Sequence, residues 1–241
     1  MPRRKRPIYS NTYRKRRRWL LVAAVVALLA AAGLGGWLWS QRRTGVAKYA
    51  VRGVVVSQSD GNADFQALQS EGLRFVYLKG TQGASFFDDT YSTNYEQATG
   101  SGLAVGVYHY FSFDSDPAAQ ARYFATKVGK NLGTLPIGIQ VAFYGQYAAK
   151  PPKKAVVAAK VRAFIVELQR YTTHPFILMG SKQVLGDLTE VASSAPRWQI
   201  GGHPGKQVQY WQSGTLKAAG TDYTAVAYLA TTQTFKAQLT N

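Results

Sequence analysis

The sequence contains no cysteine, only three histidines and few acidic residues. The absence of cysteine excludes disulfide bonds and thiolate metal sites. Three histidines do not favour a histidine-rich metal centre, so we expect neither a bound metal nor a cofactor. Aspartate and glutamate number 12 against 29 lysines and arginines, and the first acidic residue is Asp60. The first 59 residues therefore carry only basic charged side chains.

The basic residues are distributed unevenly. Nine of them lie within residues 1–18, whereas the chain from Thr44 onward has 18 basic and 12 acidic residues, a net charge of +6. Because the excess lies beside an apolar segment, membrane topology explains it better than nucleic-acid binding, and no nucleic-acid partner is expected. We interpret residues 1–18 as a disordered cytoplasmic tail. Its basic clusters are expected to determine the orientation of the chain in the membrane or, alternatively, to bind anionic lipid head groups.

The apolar segment that follows is long enough to cross a membrane. Residues 19–39 carry no charge, and Trp19, Trp37 and Trp39 stand at its two ends, where interfacial aromatic residues are typical. We predict a single transmembrane signal anchor with a cytoplasmic N-terminus, a linker over 40–48, and an exported domain over 49–241 at the outer face of the cell membrane. A cleaved signal peptide, with its small-residue site at Ala30–Ala32, is the alternative.

Strand-like and helix-like segments alternate through the exported part. The strands are β-branched and apolar, and the helices have apolar residues at helical spacing, repeating about every 30 residues. This rhythm predicts parallel βαβ units and an α/β fold. Predicted strands are 49–59, 73–78, 103–111, 135–145, 176–180, 197–201 and 207–212, and predicted helices are 64–72, 94–102, 117–128 and 154–171.

The strand predicted over Leu135–Gly145 is the one on which we expect the chemistry to lie. Its apolar residues alternate with Gly138, Gln140, Ala142 and Tyr144, so that Gln140 and Ala142 point the same way. Polar groups near the C-terminal end of a barrel strand serve the active site. Here that face offers only an amide and a methyl group.

Four segments resemble glycoside hydrolase family 25, the Chalaropsis-type lysozymes or N-acetylmuramidases. They are Gly53-Val54-Val55-Val56-Ser57; Phe75 to Gly83, FVYLKGTQG; Gly102 to Phe111, GLAVGVYHYF, followed by Gln120-Ala121; and the late pairs Arg197-Trp198, after Pro196, and Trp211-Gln212. The resemblance implies an irregular, flattened, TIM-like β/α barrel of about eight strands with fewer than eight helices. It also implies activity on cell-wall peptidoglycan.

The chain departs from the family where the family has acidic residues. The resemblance places those positions at Val55, Gln82, Gln140, Ala142 and Val226. Glycosidic cleavage requires one carboxyl group as acid and a second as base, nucleophile or stabiliser. The resemblance thus implies a divergent member, a pseudoenzyme with no intact catalytic carboxylate.

Several other residues have both a functional and a structural interpretation. Asp88 and Asp89 are expected to be solvated, Asp114 and Asp116 to cap a turn or helix, and His109 to be a hydrogen-bonded structural residue. Lys79 is expected either in a surface salt bridge or against an anionic group. Four aromatic residues either line a saccharide groove or belong to the core, namely Tyr108, Tyr144, Trp198 and Trp211.

The sequence therefore predicts a membrane-anchored, lysozyme-like domain that binds peptidoglycan glycan strands and is catalytically defective. Two alternatives stay open. One is an active muramidase that uses relocated carboxylates, with Asp114 and Asp116 as the best candidates. The other is a wall-located scaffold whose groove is vestigial.

Overall fold

The computed structural model describes residues 45–191 and 193–239. The predicted tail, the predicted anchor and the first part of the predicted linker lie outside these residues. Within them, no helix is both long enough and apolar enough to span a bilayer. Residues Gly45–Lys48, predicted as linker, form a 3₁₀ helix, and Val46 is buried against Trp211 and its neighbours.

Eight strands close into a barrel, as predicted for a TIM-like fold. Their order around the barrel is β1-β9-β8-β7-β6-β5-β4-β2, and β2 pairs with β1 to close it, while β3 is a two-residue flanking strand on β2. The strands are β1 Val51–Val56, β2 Phe75–Gln82, β3 Phe86–Phe87, β4 Ala104–Tyr110, β5 Ile137–Gln140, β6 Phe176–Gly180, β7 Arg197–Ile200, β8 Tyr210–Ala218 and β9 Thr221–Tyr228.

Helices cover the barrel unevenly. They are α1 Phe65–Ser70, α2 Tyr91–Gly100, α3 Pro117–Val128, α4 Gln146–Ala149, α5 Lys154–Leu168, α6 Lys182–Asp187 and α7 Thr232–Ala237, with a further 3₁₀ turn at Gln58–Asp60. The crossover from β7 to β8, residues 201–209, contains no helix. This uneven cover agrees with the irregular barrel that the resemblance implies.

Two features of the C-terminal part differ from the predicted rhythm. Strands β8 and β9 form an antiparallel hairpin, and β9 closes the barrel by pairing antiparallel with β1. The sequence pattern predicts no strand after residue 212 and predicts neither α6 nor α7. A helix of six residues has fewer than two turns, so its apolar periodicity is weak, and of the three such helices only α1 was predicted.

The barrel interior is filled by aromatic rings. Trp198 stacks on Tyr210, with ring centroids 5.4 Å apart, and meets Tyr77 edge-on at 4.6 Å. Gly106 makes room for this cluster, because a Cβ atom there would lie 2.5 Å from the Tyr77 ring. A second core layer lies between the outer faces of the strands and the helices. The interior is thus a packed core with its open end at the mouth.

Candidate functional site at the barrel mouth

The C-terminal ends of four neighbouring parallel strands define the barrel mouth. Gln82 of β2 is paired with Tyr110 of β4, Tyr110 with Gln140 of β5, and Gln140 with Met179 of β6. The structure therefore brings Gln82 and Gln140 to the same end of the barrel. Strand β5 ends at Gln140, five residues before the predicted end, so Ala142 lies in the loop that follows it.

The mouth is lined by neutral amides as well as by rings. Gln212 of β8 pairs with Ile200 and Val226, which belong to the interior face. The side chains of Gln140 and Gln212 are partly exposed, and neither makes a side-chain hydrogen bond to another residue in the described part of the chain. Their amides are therefore available to a ligand. Gln212 is not among the predicted site residues, although its period-2 position after Tyr210 puts it on the same face of β8.

Lys79 is a half-buried cation in this mouth. Its Nζ atom donates a hydrogen bond of 2.7 Å to Gln82 Oε1 and lies 4.7 Å from the Phe86 ring centroid and 5.7 Å from that of Tyr110. Burial lowers the pKa of Lys79, and the charge of Asp88 partly opposes that shift. Among residues 45–191 and 193–239 it makes no ion pair, so the predicted surface salt bridge is absent there.

The carboxylate of Asp88 holds a loop together, contrary to the expectation that it is solvated. Asp88 is 1% exposed. Its carboxylate accepts hydrogen bonds from the backbone amide of Gln58 at 2.9 Å, from the backbone amide of Thr90 at 3.1 Å and from the Thr90 hydroxyl at 2.7 Å. Because both carboxylate oxygens of Asp88 accept these hydrogen bonds, we assign Asp88 a structural role. Asp89 is exposed, as expected.

Asp114 is an exposed carboxylate held by two tyrosines. It accepts hydrogen bonds of 2.9 Å from the hydroxyls of Tyr144 and Tyr147. Tyr144 also contacts Ser112 Oγ at 2.7 Å, and its ring centroid lies 6.1 Å from that of Tyr110. This links Asp114 to the mouth through Tyr144. Asp116, by contrast, caps α3 by accepting from the Ala119 amide at 2.7 Å, as predicted.

His109 is a structural residue on the outer face of β4. It is fully buried, its Nδ1 lies 2.7 Å from Thr81 Oγ1 and its Nε2 lies 3.1 Å from Gln120 Oε1. The ring stacks on Phe164 with centroids 4.6 Å apart. Burial lowers the pKa of His109 to about 4. The imidazole is therefore neutral at ordinary pH and takes no part in the mouth.

This lowered pKa predicts a pH-dependent stability. The unfolded chain binds a proton at His109 near pH 6.5, whereas the folded chain does so only near pH 4. Between these values the unfolded state holds more protons, so the free energy of unfolding falls as pH falls, by up to about 1.4 kcal/mol per pH unit. We expect His109→Gln to flatten the curve measured by urea unfolding from pH 7 to 4.5. His203→Gln, at an exposed site, should keep the parent slope, and a His109→Gln curve parallel to the parent would contradict the assignment.

Two of the four candidate stacking aromatics are core residues. Trp198 is fully buried in the barrel interior, where a sugar ring cannot reach it. Trp211 packs on the outer side of the barrel against Val46 and Tyr49, and its indole Nε1 donates to the Gly202 carbonyl at 3.0 Å. The core interpretation therefore holds for both. Period-2 alternation alone could not distinguish a core residue from a groove residue here, because both faces of β7 and β8 are covered at Trp198 and Trp211.

The other two aromatics lie toward the mouth. Tyr108 belongs to the interior face of β4, is 6% exposed, and has its pKa raised mainly by burial. Tyr144 is partly exposed and follows β5. A sugar face can reach Tyr144, whereas Tyr108 is almost fully buried.

The five positions at which the resemblance implies acidic residues differ in their solvent exposure. Val55 is partly exposed at the interior face of β1, and Gln82, Gln140 and Ala142 are also partly exposed. Val226 is fully buried in the interior cluster, where it pairs with Gly53 and Gln212. In the part of the chain that the structure describes, no group of three or more His, Cys, Asp or Glu side chains could hold a metal ion.

A comparison with protein families identifies the domain. The family model described as glycosyl hydrolases family 25 matches residues 54–225, well over half of the chain. The chain belongs to glycosyl hydrolase family 25. This confirms the family that the four sequence segments indicated.

Relatives and solved structures agree with this assignment. The chain is 38% identical over 90 residues to lysozyme M1 of Streptomyces globisporus, covering 36% of this chain and 31% of the relative. It is 35% identical over 79 residues to the N,O-diacetylmuramidase of Arthroderma benhamiae, covering 33% and 34%. The matched segments thus span about a third of these curated relatives.

The similarity in structure is more extensive. A family 25 glycosyl hydrolase of Bacillus anthracis superposes with a TM-score of 0.73 at 24% identity, covering 81% of this chain and 96% of the other. A bacterial lysozyme of Streptomyces coelicolor gives a TM-score of 0.70 at 22% identity, covering 80% and 98%. At these identities the likeness establishes the shared fold.

Proposed function

We propose that this chain is a membrane-anchored domain that binds the glycan strands of peptidoglycan outside the cell and has lost hydrolysis. The observation that carries the proposal is the chemistry of the mouth. Gln140 ends β5 and Ala142 follows it, at the two positions where the resemblance to the family leads us to expect an acid pair. Neither side chain can supply or accept a proton at ordinary pH, so neither step of glycosidic cleavage has its carboxyl group.

The groups that do occupy the mouth suit binding of a polar, neutral chain. Gln140 and Gln212 have side-chain amides that make no hydrogen bond to other described residues, and these amides can donate to and accept from sugar hydroxyl and acetamido groups. Lys79 adds a cation beside Gln82, and Tyr144 offers an aromatic face at the rim. Polar groups of this kind, converging on a concave site, are typical of ligand recognition.

Binding should depend on the two free amides. We expect Gln140→Ala with Gln212→Ala to weaken co-sedimentation of the purified chain with insoluble peptidoglycan by roughly 30-fold, since each lost neutral hydrogen bond contributes about 1 kcal/mol. Gln97→Ala, an exposed amide on α2, is the matched control and should bind as the parent does. No binding by the parent chain would refute glycan binding and favour the scaffold hypothesis.

One observation supports an active enzyme as the second candidate. Asp114 is a carboxylate tied to the mouth through Tyr144. It accepts hydrogen bonds from two phenols and is exposed, which suits a fixed acceptor more than a proton donor. If it does replace the missing acid, Asp114→Asn must abolish any turnover that the parent shows.

The membrane anchor is proposed from the sequence alone. The uncharged segment 19–39 and the nine basic residues before it favour an uncleaved anchor with an exported C-terminus. A reporter fused after Asn241 should be active outside the cell, and the protein should stay with the membranes after a high-salt wash. Recovery of a soluble form that begins near Gly33 would show a cleaved signal peptide instead.

A further inference from the structure

A pocket on the outer wall of the barrel is lined by three cations from three separate segments. Lys182 begins α6, Arg197 begins β7, and Lys206 lies in the crossover from β7 to β8. The pocket has a volume of about 400 Å³, and its other lining residues are uncharged, namely Leu185, Gly186, Gln199, Gly205, Gln207 and Val208. Arg197 and Gln199 alternate with the interior Trp198, so this basic pocket faces away from the barrel interior.

The three cations have no acidic partner among the residues that the structure describes. No acidic residue lines the basic pocket. The ion pairs of the described chain join Arg122 and Arg170 to Glu167, and Lys154 to Glu190, so none involves a cation of this pocket. Like charges around a concave surface repel one another and concentrate a positive potential. An anion placed among them would relieve that repulsion.

The segment that carries Lys206 is anchored. Gln199 is 2% exposed, and its Nε2 donates to the carbonyls of Gly201 and His203, both at 2.9 Å. Its Oε1 accepts from the Gly205 amide at 3.3 Å. This buried amide fixes the loop just before Lys206. The pocket is therefore held by specific contacts of the fold.

We infer that the basic pocket binds the phosphate groups of a polyol-phosphate chain. A guanidinium group presents a planar fork of donors that matches phosphate oxygens, and two ammonium groups add point charges. The volume exceeds that of one phosphate and leaves room for part of the attached polyol. The site is separate from the mouth, so a phosphate polymer and a glycan strand can be held at the same time.

Two other polyanions fit the pocket less well. Single-stranded nucleic acid is held partly by bases stacked on aromatic side chains, and none of the described residues that line this pocket is aromatic. A bilayer surface favours protruding apolar groups beside the cations. The large exposed apolar residues of the described chain, Val156, Val166 and Tyr171, are not among its lining residues. Both alternatives become outcomes of the test.

To test this, the full chain is purified in detergent and titrated with a soluble glycerol-phosphate oligomer at fixed salt, and the dissociation constant is measured. We expect Lys182→Gln with Arg197→Gln and Lys206→Gln to weaken binding at least 10-fold. The matched control, Lys130→Gln with Lys150→Gln and Lys217→Gln, removes the same charge from exposed sites and should change binding less than twofold. Both variants keep the basic tail, so its attraction for polyanions cancels in the comparison.

The outcomes separate a site from general charge attraction. Equal weakening in the two variants would overturn the proposal. The proposal would also be overturned if the pocket variant bound the glycerol-phosphate oligomer as well as the parent does but no longer bound phosphatidylglycerol vesicles or a random-sequence oligonucleotide. An unchanged far-ultraviolet circular dichroism spectrum and urea-unfolding midpoint show that the variant is folded. If the triple variant does not fold, Lys182→Gln with Lys206→Gln, both exposed, serves in its place. Because glycan binding is read separately, failure of either proposal leaves the other standing.

Discussion

Val226→Asp is expected to lower the free energy of unfolding by about 3 to 5 kcal/mol, the range typical of an uncompensated buried charge. Val226 is fully buried and packs within the interior cluster, opposite Gly53 and Gln212. A carboxylate there loses its hydration and finds no cation in its pairing neighbours, so it must ionise at high cost or stay protonated.

Val55→Asp is the matched comparison, because Val55 lies on the same interior face but is partly exposed. Water reaches its side chain, so we expect a loss of only about 1 kcal/mol, the typical effect of a point substitution. Urea unfolding of the two variants at pH 7 measures the difference. Equal losses in the two variants would show that the interior beneath the mouth is polar and hydrated.

The second large effect is a gain of hydrolysis when the carboxylates are rebuilt. Val55→Asp, Gln140→Asp, Ala142→Glu and Val226→Asp together place acids at four of the positions that the family resemblance identifies. We expect weak reducing-end release from peptidoglycan, about 100-fold above the matched control, which is the low end of general acid–base assistance. Smaller sets should yield little, because catalytic groups act as a unit.

The matched control for the rebuilt pair keeps size and removes charge. It carries Gln140→Asn and Ala142→Gln in place of the acids, with the other two substitutions unchanged. Both positions are partly exposed, so the acid pair itself should be tolerated, and the loss of stability should come mainly from Val226. If the rebuilt variant folds, binds glycan and releases nothing, the groove has diverged beyond its carboxylates.

The parallel part of the fold is readable from the sequence because its signals are local. Helix α3 and strand β6 have the bounds that the pattern predicts, and Asp116 caps α3 as expected of an aspartate before Pro117. The structural role of His109 is confirmed for the same reason, since a histidine inside an apolar strand must find buried partners. The part of the β8–β9 hairpin after residue 212 escaped prediction for two reasons. The second half of β8 is largely polar and exposed, and β9 ends in a continuous buried run, Ala225–Tyr228, so neither shows a period-2 alternation.

The candidate site is less predictable, because its contacts join distant segments. Asp88 is buried and accepts a hydrogen bond from the backbone amide of Gln58, 30 residues earlier. Nothing in the local sequence reveals that partner. The pairing of Asp114 with Tyr144 and Tyr147 spans 30 and 33 residues. Trp198 is a core residue because helices and aromatic rings cover both faces of its strand. Position along the chain specifies a face, whereas accessibility depends on the elements packed against it.

Reducing-end release from purified peptidoglycan by the unmodified chain tests the central claim most directly. The account predicts no release above a buffer control, at any pH from 4 to 8, by protein that co-sediments with the same peptidoglycan. An active lysozyme run on the same substrate shows that it can be cleaved. Clear release by the unmodified chain, abolished by Asp114→Asn and unaffected by Asp89→Asn, would contradict the loss of hydrolysis and establish an enzyme that uses a relocated carboxylate.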